Sequence, residues 1–178
     1  MIVYHVALQV ADDAPARSEQ HRRSHLERVL GLRAAGIVIG GGPAPDGRTA
    51  DLFYRLQRPE QIPFAIEEDP YWTARVWTRY TPRSFAQFVE PWDSPALVTD
   101  GSRVVTIVEG PARDLDMAQF ALVEMRGAGR LAFGGFFEGG ETLALARTTD
   151  PTTALGWFSE TGFWETSTLR ARPLLHVL

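Results

Sequence analysis

The chain of 178 residues contains no cysteine. Disulfides, thiolate nucleophiles and cysteine-bound zinc or iron–sulfur centres are therefore outside its chemistry. The same absence agrees with a reducing compartment, and the cytoplasm is the expected location. Lysine is missing too, so all 18 basic residues are arginines, against 22 Asp and Glu, for a net charge of −4. No basic excess is available to hold DNA, RNA or an anionic lipid surface, so neither nucleic acid nor membrane is an expected partner. No stretch approaches the ~18 apolar residues that a membrane span requires. The opening MIVYHVALQVADD has no basic leader or cleavage site and reads as a first strand. Nor does a GKS or GKT mark a phosphate loop.

What is present suits a packed core: 44% of the residues are apolar, in a length that fits one large domain or two small ones. Residues 2–10 read as a strand, and about Arg17 to Ala35 as a helix closed by Gly36. A strand at 37–40, a glycine- and proline-rich turn at 41–51 and a strand at 52–56 follow. A short helix over 58–69, with Pro63 near its first turn, and a strand over 73–81 complete a ferredoxin-like β-α-β-β-α-β order. The second half repeats the plan: strand 103–108, helix 112–129, hairpin 130–148 with a Gly-Gly turn, helix 150–162 and strand 163–177. GIVIGGGP at 36–43 matches GRLAFGGF at 129–136, an offset of 93 residues. The expected fold class is α+β, with two ferredoxin-like halves, 1–93 and 96–178, joined near EPWDSPALVTD. Packing their uncovered sheet faces together gives an intramolecular dimeric α+β barrel, whose clefts are natural sites for a small-molecule ligand.

The stretch HRRSHLERVLGLRAAGIVIGGGP, residues 21–43, holds the first candidates. A phosphate cradle needs strand, glycine loop and then helix, but here the helix comes first. Gly40, Gly41 and Gly42 read instead as a hairpin turn or bulge, which also lets backbone approach a ligand. His21 and His25, one helical turn apart, are too few to hold a metal, and neither His5 nor Asp69 stands at a metal spacing as a third ligand. No metal is expected. His25 alone, beside a leucine, reads first as a satisfied, partly buried histidine. EEDPYWTARVW, residues 67–77, changes the balance, because Pro70 fixes the chain where the second helix stops and so holds Asp69 in place. Two helices on one face of a ferredoxin-like sheet let Asp69 approach His25. Phe53, Tyr54, Trp72 and Trp77 read first as core and only then as pocket lining.

RRSHL at 22–26, then AAGIVIGGGP, then DPYWTARVW resemble the YCII-related (YciI-like) family. That family carries Arg-x-x-His-Leu on its first helix, Gly-Pro after its second strand and Asp-Pro-Tyr after its second helix. The resemblance covers residues 1–93, with Arg23 where the family often has proline. It implies a ferredoxin-like fold that pairs into a dimeric α+β barrel around a histidine/aspartate centre. By motif match the catalytic pair is His25 and Asp69, with Arg22, Gly42, Pro43 and Tyr71 as substrate-binding residues. The second half departs from the pattern: Ala118 stands in the place of His25, and SETGFW in the place of Asp-Pro-Tyr. Asp150-Pro151 precedes its helix and is a start signal. The chain thus resembles a tandem duplication whose second copy is degenerate.

A carboxylate on one ring nitrogen of a histidine fixes the tautomer and leaves the other nitrogen to move a proton. With no activated serine evident and no cysteine, such a dyad suits abstraction and return of a proton. The expected activity is a lyase or isomerase, without cofactor, acting on a small cyclic or unsaturated organic molecule. The competing reading is a non-catalytic small-molecule-binding or protein-interaction module, since fold alone does not imply reaction. A second copy of the chain is a candidate partner, as a homodimer.

Overall fold

Val3, Val6 and Leu8 place apolar side chains on both faces of the first strand, as a strand covered on both sides requires. The computed structural model describes residues 1–89 and 97–177. They form two compact units, Met1–Ser84 with Val177, and Phe85–His176. The sequence-based junction, with its limits at 93 and 96, falls outside the described residues.

The first unit runs β1 (Ile2–Val10), α1 (Ala14–Ser18), α2 (Arg22–Ala34), β2 (Val38–Pro43), β3 (Thr49–Leu56), α3 (Ile62–Glu67), α4 (Pro70–Thr73) and the start of β4 (Trp77–Val89). Its strand order is β2-β3-β1-β4. β1 and β3 are antiparallel, with Tyr4 opposite Tyr54 and His5 opposite Phe53. The period of two therefore sends Tyr4, Val6, Leu52 and Tyr54 to one face and His5, Asp51 and Phe53 to the other. The first set faces the helices: burial raises the Tyr54 phenol, and Asp69 and Arg28 from the helical layer act on it with opposite sign.

The helix expected from Arg17 is broken in two. α1 gives way to a tight 3-10 turn, Glu19–His21, before α2 begins. α2 closes as the sequence suggests, in a Schellman motif: Gly36 at φ +71° donates to Arg33 O, and Ile37 N–H to Leu32 O. The second expected helix is also shorter, because Asp69 starts α4 where a loop was expected. Residues 70–73 are wound by that cap, so β4 begins at Trp77, not at residue 73.

The triple glycine is not the hairpin turn. Gly40, Gly41 and Gly42 lie inside β2, with a register shift between Val38 and Gly40 against β3. Gly41 sits at φ +124°, and a Cβ there would stand 2.1 Å from the Asp51 carbonyl oxygen. The glycine run is thus a bulge that lets two backbones touch, and the turn lies just beyond, closed by Gly47 N–H to Ala44 O. On the same strand, Gly41 O accepts from Val177 N–H.

The second unit continues with the end of β4, Phe85–Val89, paired antiparallel with β6. It holds β5 (Val104–Pro111), α5 (Leu115–Gly127), β6 (Leu131–Phe137), β7 (Glu141–Ala146), α6 (Pro151–Ser159) and β8 (Arg170–Leu175), in strand order β6-β7-β5-β8. The predicted Gly-Gly turn is present, Gly139 and Gly140 both at positive φ. The last strand is shorter than 163–177, since Trp164 makes only an isolated bridge with Ala112 and a 3-10 turn occupies Thr166–Thr168. α5 has the 13 residues of α2, 93 positions later, and ends in the same motif: Gly129 N–H to Arg126 O and Arg130 N–H to Met125 O. Each unit is thus mixed α+β on an antiparallel sheet. Among the described residues no helix is long and apolar enough to cross a membrane.

Two outcomes test this packing. Gly41→Ala places a methyl against backbone and should cost about 3 kcal/mol in urea unfolding, whereas Gly36→Ala, in open space, should cost about 1 kcal/mol. Burial also raises the phenols of Tyr54 and Tyr80, the latter to about 12 with the Glu67 carboxylate contributing. Because the folded state holds these protons more tightly, that stabilisation is complete below pH 10 and is lost as pH rises from 10 toward 12. Urea midpoints measured at pH 9, 10 and 11 should fall only in the upper part of this series.

Candidate active site

Asp-Pro is a strong helix start: the aspartate caps and the proline occupies the first helical position, where no N–H is needed. Asp69 does this for α4, its backbone extended at φ −72°, ψ 137°, with Oδ1 accepting the Tyr71 N–H at 2.8 Å. The same oxygen lies 2.8 Å from His25 Nδ1. A carboxylate only accepts, so Nδ1 carries the ring proton and Nε2 presents a lone pair. Asp69 is 1% exposed. The His25 side chain keeps 14% of its surface, and among the described residues no protein group pairs with Nε2.

Aromatic rings fix the imidazole plane. Tyr71 stacks on it with centroids 3.8 Å apart and 9° between planes, and Trp77 meets it edge-on at 5.3 Å. Tyr71 and Trp77 also meet edge to face at 5.8 Å. Arg28, one turn after His25, ties α2 to the chain that carries Asp69. Its guanidinium donates to Phe64 O at 2.6 Å, lies over the Phe64 ring and reaches Glu68 at 3.5 Å. A shallow depression of about 460 Å³ is lined by Arg28, Gly31, Leu32, Glu68 and Pro70, with neither His25 nor Asp69 in its lining.

Of the residues singled out from sequence, His25, Asp69 and Tyr71 come together, and Arg22 sits one turn before His25 on α2. Gly42 and Pro43 do not join them. They lie on β2, at the far edge of the strand order from β4, whose Trp77 touches His25, and they pair with Asp51 and Ala50 of β3. His21 turns aside to the Gln20 amide, 2.9 Å away. His5 faces away from the helices and meets Asp51 at 2.7 Å. Among the described residues no three His, Asp or Glu side chains gather as a metal site would require. Phe53, Tyr54 and Trp77 are buried, as core residues are.

Sequence reasoning missed the part played by Trp77 against His25 and the whole His5–Asp51 pair. The pair had a faint signal: β1 and β3 in register set Ala7 opposite Asp51, two residues from His5. In the second unit, Ala118, 93 positions after His25, is fully buried in an apolar cluster that also holds Ala154, Phe158 and Trp164. Phe158 meets Trp164 at 4.8 Å, and the Trp164 indole donates to Thr142 Oγ1.

No family model matches the chain, and no curated protein matches it. Solved structures do. Two proteins, each named a "putative monooxygenase", superpose on 99% of this chain. The one from Lactobacillus acidophilus has a TM-score of 0.61 at 13% identity over 94% of its own length. The one from Fusobacterium nucleatum has 0.58 at 7% over 92%. A heme-binding protein from Thermus thermophilus gives 0.57 at 11% identity, covering 99% of this chain and 92% of its own. These relatives have the dimeric α+β barrel fold, and at such identities the likeness is one of fold.

Asp69 serves two donors, so its loss should do more than remove a cap. Asp69→Ala should destabilise the protein by about 3 kcal/mol, combining the cap with an unpaired, largely buried Nδ1–H. Asp69→Asn should cost less, because its amide oxygen still caps α4. Urea denaturation of the two variants distinguishes these outcomes.

Proposed function

We propose that the first unit carries a cofactor-independent acid–base site, an isomerase or lyase acting on a small cyclic or unsaturated organic molecule. His25 is its base and acid, and Asp69 its orienting carboxylate. The observation that carries this reading is the 2.8 Å contact from His25 Nδ1 to Asp69 beside an Nε2 that no described protein group occupies. We also take the chain as a tandem duplication of ferredoxin-like halves resembling the YCII-related family. Equal helices 93 residues apart with identical closures support this, as does the matching strand order of the two units. On that reading the second half has lost the dyad and kept the scaffold.

The chemistry follows from the tautomer. With Nδ1–H given to Asp69, the lone pair of Nε2 accepts a proton from a substrate carbon. The ring becomes an imidazolium, which the buried carboxylate 2.8 Å away stabilises. Tyr71 and Trp77 keep the ring from turning while it is charged. Return of the proton to another carbon gives isomerisation, and departure of a leaving group gives elimination. Both are redox-neutral and call for no electron acceptor.

The test is proton exchange at carbon. Small cyclic enones incubated with the protein in D2O should gain deuterium, followed by proton NMR. His25→Gln should lower the rate by about 10²–10⁴-fold, and Asp69→Asn should also slow it while leaving the fold intact. Equal exchange in wild type and His25→Gln would remove the catalytic reading and favour a binding module.

A further inference from the structure

We propose that Arg22 and the Tyr71 hydroxyl form an oxyanion-binding pair beside the open nitrogen of His25. The substrate of this site then carries a carbonyl or phenolic oxygen next to the carbon that exchanges its proton. This rests on the acid–base reading of His25 and names the class of molecule that reading leaves open.

Arg22 and His25 are three residues apart on α2, so both project from the same side of the helix. Charged neighbours on these helices are engaged: Arg17 with Asp13, Arg23 with Glu27, and Arg28 with Glu68. Arg22 is exposed and, among the described residues, has no ion-pair partner. An exposed arginine by itself means little. What gives this one meaning is its company, since the Tyr71 ring lies flat against His25 at 3.8 Å and its amide is pinned by Asp69. Burial raises the Tyr71 phenol, with Arg22 and the Ser18 hydroxyl acting to lower it and Asp69 and Glu19 to raise it, so Arg22 is one of the charges that act on this phenol. A phenol held above its ordinary value stays protonated at neutral pH and donates a hydrogen bond.

The second unit supplies an internal comparison. At the offset of 93, Leu115, Ala118 and Trp164 stand where Arg22, His25 and Tyr71 stand in the first unit. The guanidinium, the base and the hydroxyl disappear together, as members of one device would.

In the proposed step His25 Nε2 takes a proton from the carbon next to a carbonyl. The C–H bond breaks and an N–H bond forms. The released pair makes a carbon–carbon double bond, and the carbonyl π pair moves onto oxygen. Arg22 and Tyr71 meet the negative charge there, where fixed donors stabilise a developing oxyanion more than the neutral carbonyl. Return of the proton to the far end of a conjugated system completes an isomerisation. Alternatively the enolate collapses and expels an anion from the adjacent carbon, completing an elimination, and His25 gives up its proton to water.

The probe is 4-nitrophenolate, with nitrobenzene as its uncharged counterpart. Each is titrated into the full-length protein while the His25 ring signals are followed by NMR. The phenolate should bind at least about tenfold more tightly than nitrobenzene. Arg22→Gln and Tyr71→Phe should each erase most of that preference, while Arg23→Gln should leave it unchanged. Both informative variants spare the fold, because Arg22 is exposed and phenylalanine keeps the stacked ring. Equal binding of the two compounds, no response at His25, or an undiminished preference in both variants would overturn the oxyanion pair. Those results would leave the acid–base reading standing wherever carbon exchange still depends on His25. Loss of that dependence, measured separately, removes the acid–base reading itself.

Discussion

One carboxylate oxygen organises the helical face of the first unit. Asp69 Oδ1 accepts from the Tyr71 amide and from His25 Nδ1, each at 2.8 Å. A carboxylate with 1% of its surface exposed is tolerable only when its lone pairs are used, and here one atom joins two helices. Pro70 makes the junction stiff, Tyr71 follows as the first donor, and its ring is carried directly onto the imidazole. Cap, stack and dyad are therefore one geometrical unit: moving Asp69 would undo the start of α4 and the orientation of His25 together.

Much of this was legible because its causes are local. Gly36 at the end of α2 and the Gly-Gly turn at 139–140 need positive φ, and glycine announces that without reference to the rest of the chain. Asp-Pro likewise announces a fixed point at 69–70. The triple glycine was harder, because the reason for Gly41 lies in the backbone of Asp51, on another strand. Read alone, such a run fits a turn or a bulge equally, and the register between β2 and β3 decides for the bulge. The same blindness hid the His5–Asp51 pair and assigned Gly42 and Pro43 to a site from which the strand order separates them.

The two units show what the fold needs and what it does not. α2 and α5 share length and closure, so the scaffold rests on helix ends and strand order. Where the first unit has His25, the second has Ala118 at the offset of 93, in a cluster with Phe158 and Trp164, all within 1% of full burial. A well-packed apolar cluster needs no partnered charges, whereas a dyad must offset desolvation with hydrogen bonds. The first unit meets that requirement through the two hydrogen bonds to Asp69, and the apolar cluster of the second has no such requirement to meet.

A histidine hydrogen-bonded to an aspartate is not by itself a site, and the first unit contains two such pairs that separate the cases. His5 on β1 reaches Asp51 on β3 at 2.7 Å with side chains 5% and 2% exposed. His25 keeps 14% of its side chain exposed against the 2% of Asp69. It spends its inner nitrogen on that carboxylate and leaves its outer nitrogen toward solvent. Burying the carboxylate strengthens the hydrogen bond that fixes the tautomer, while the outer edge of the ring stays open. The helical pair thus divides its imidazole into a held side and an open side, whereas both side chains of the strand pair are buried.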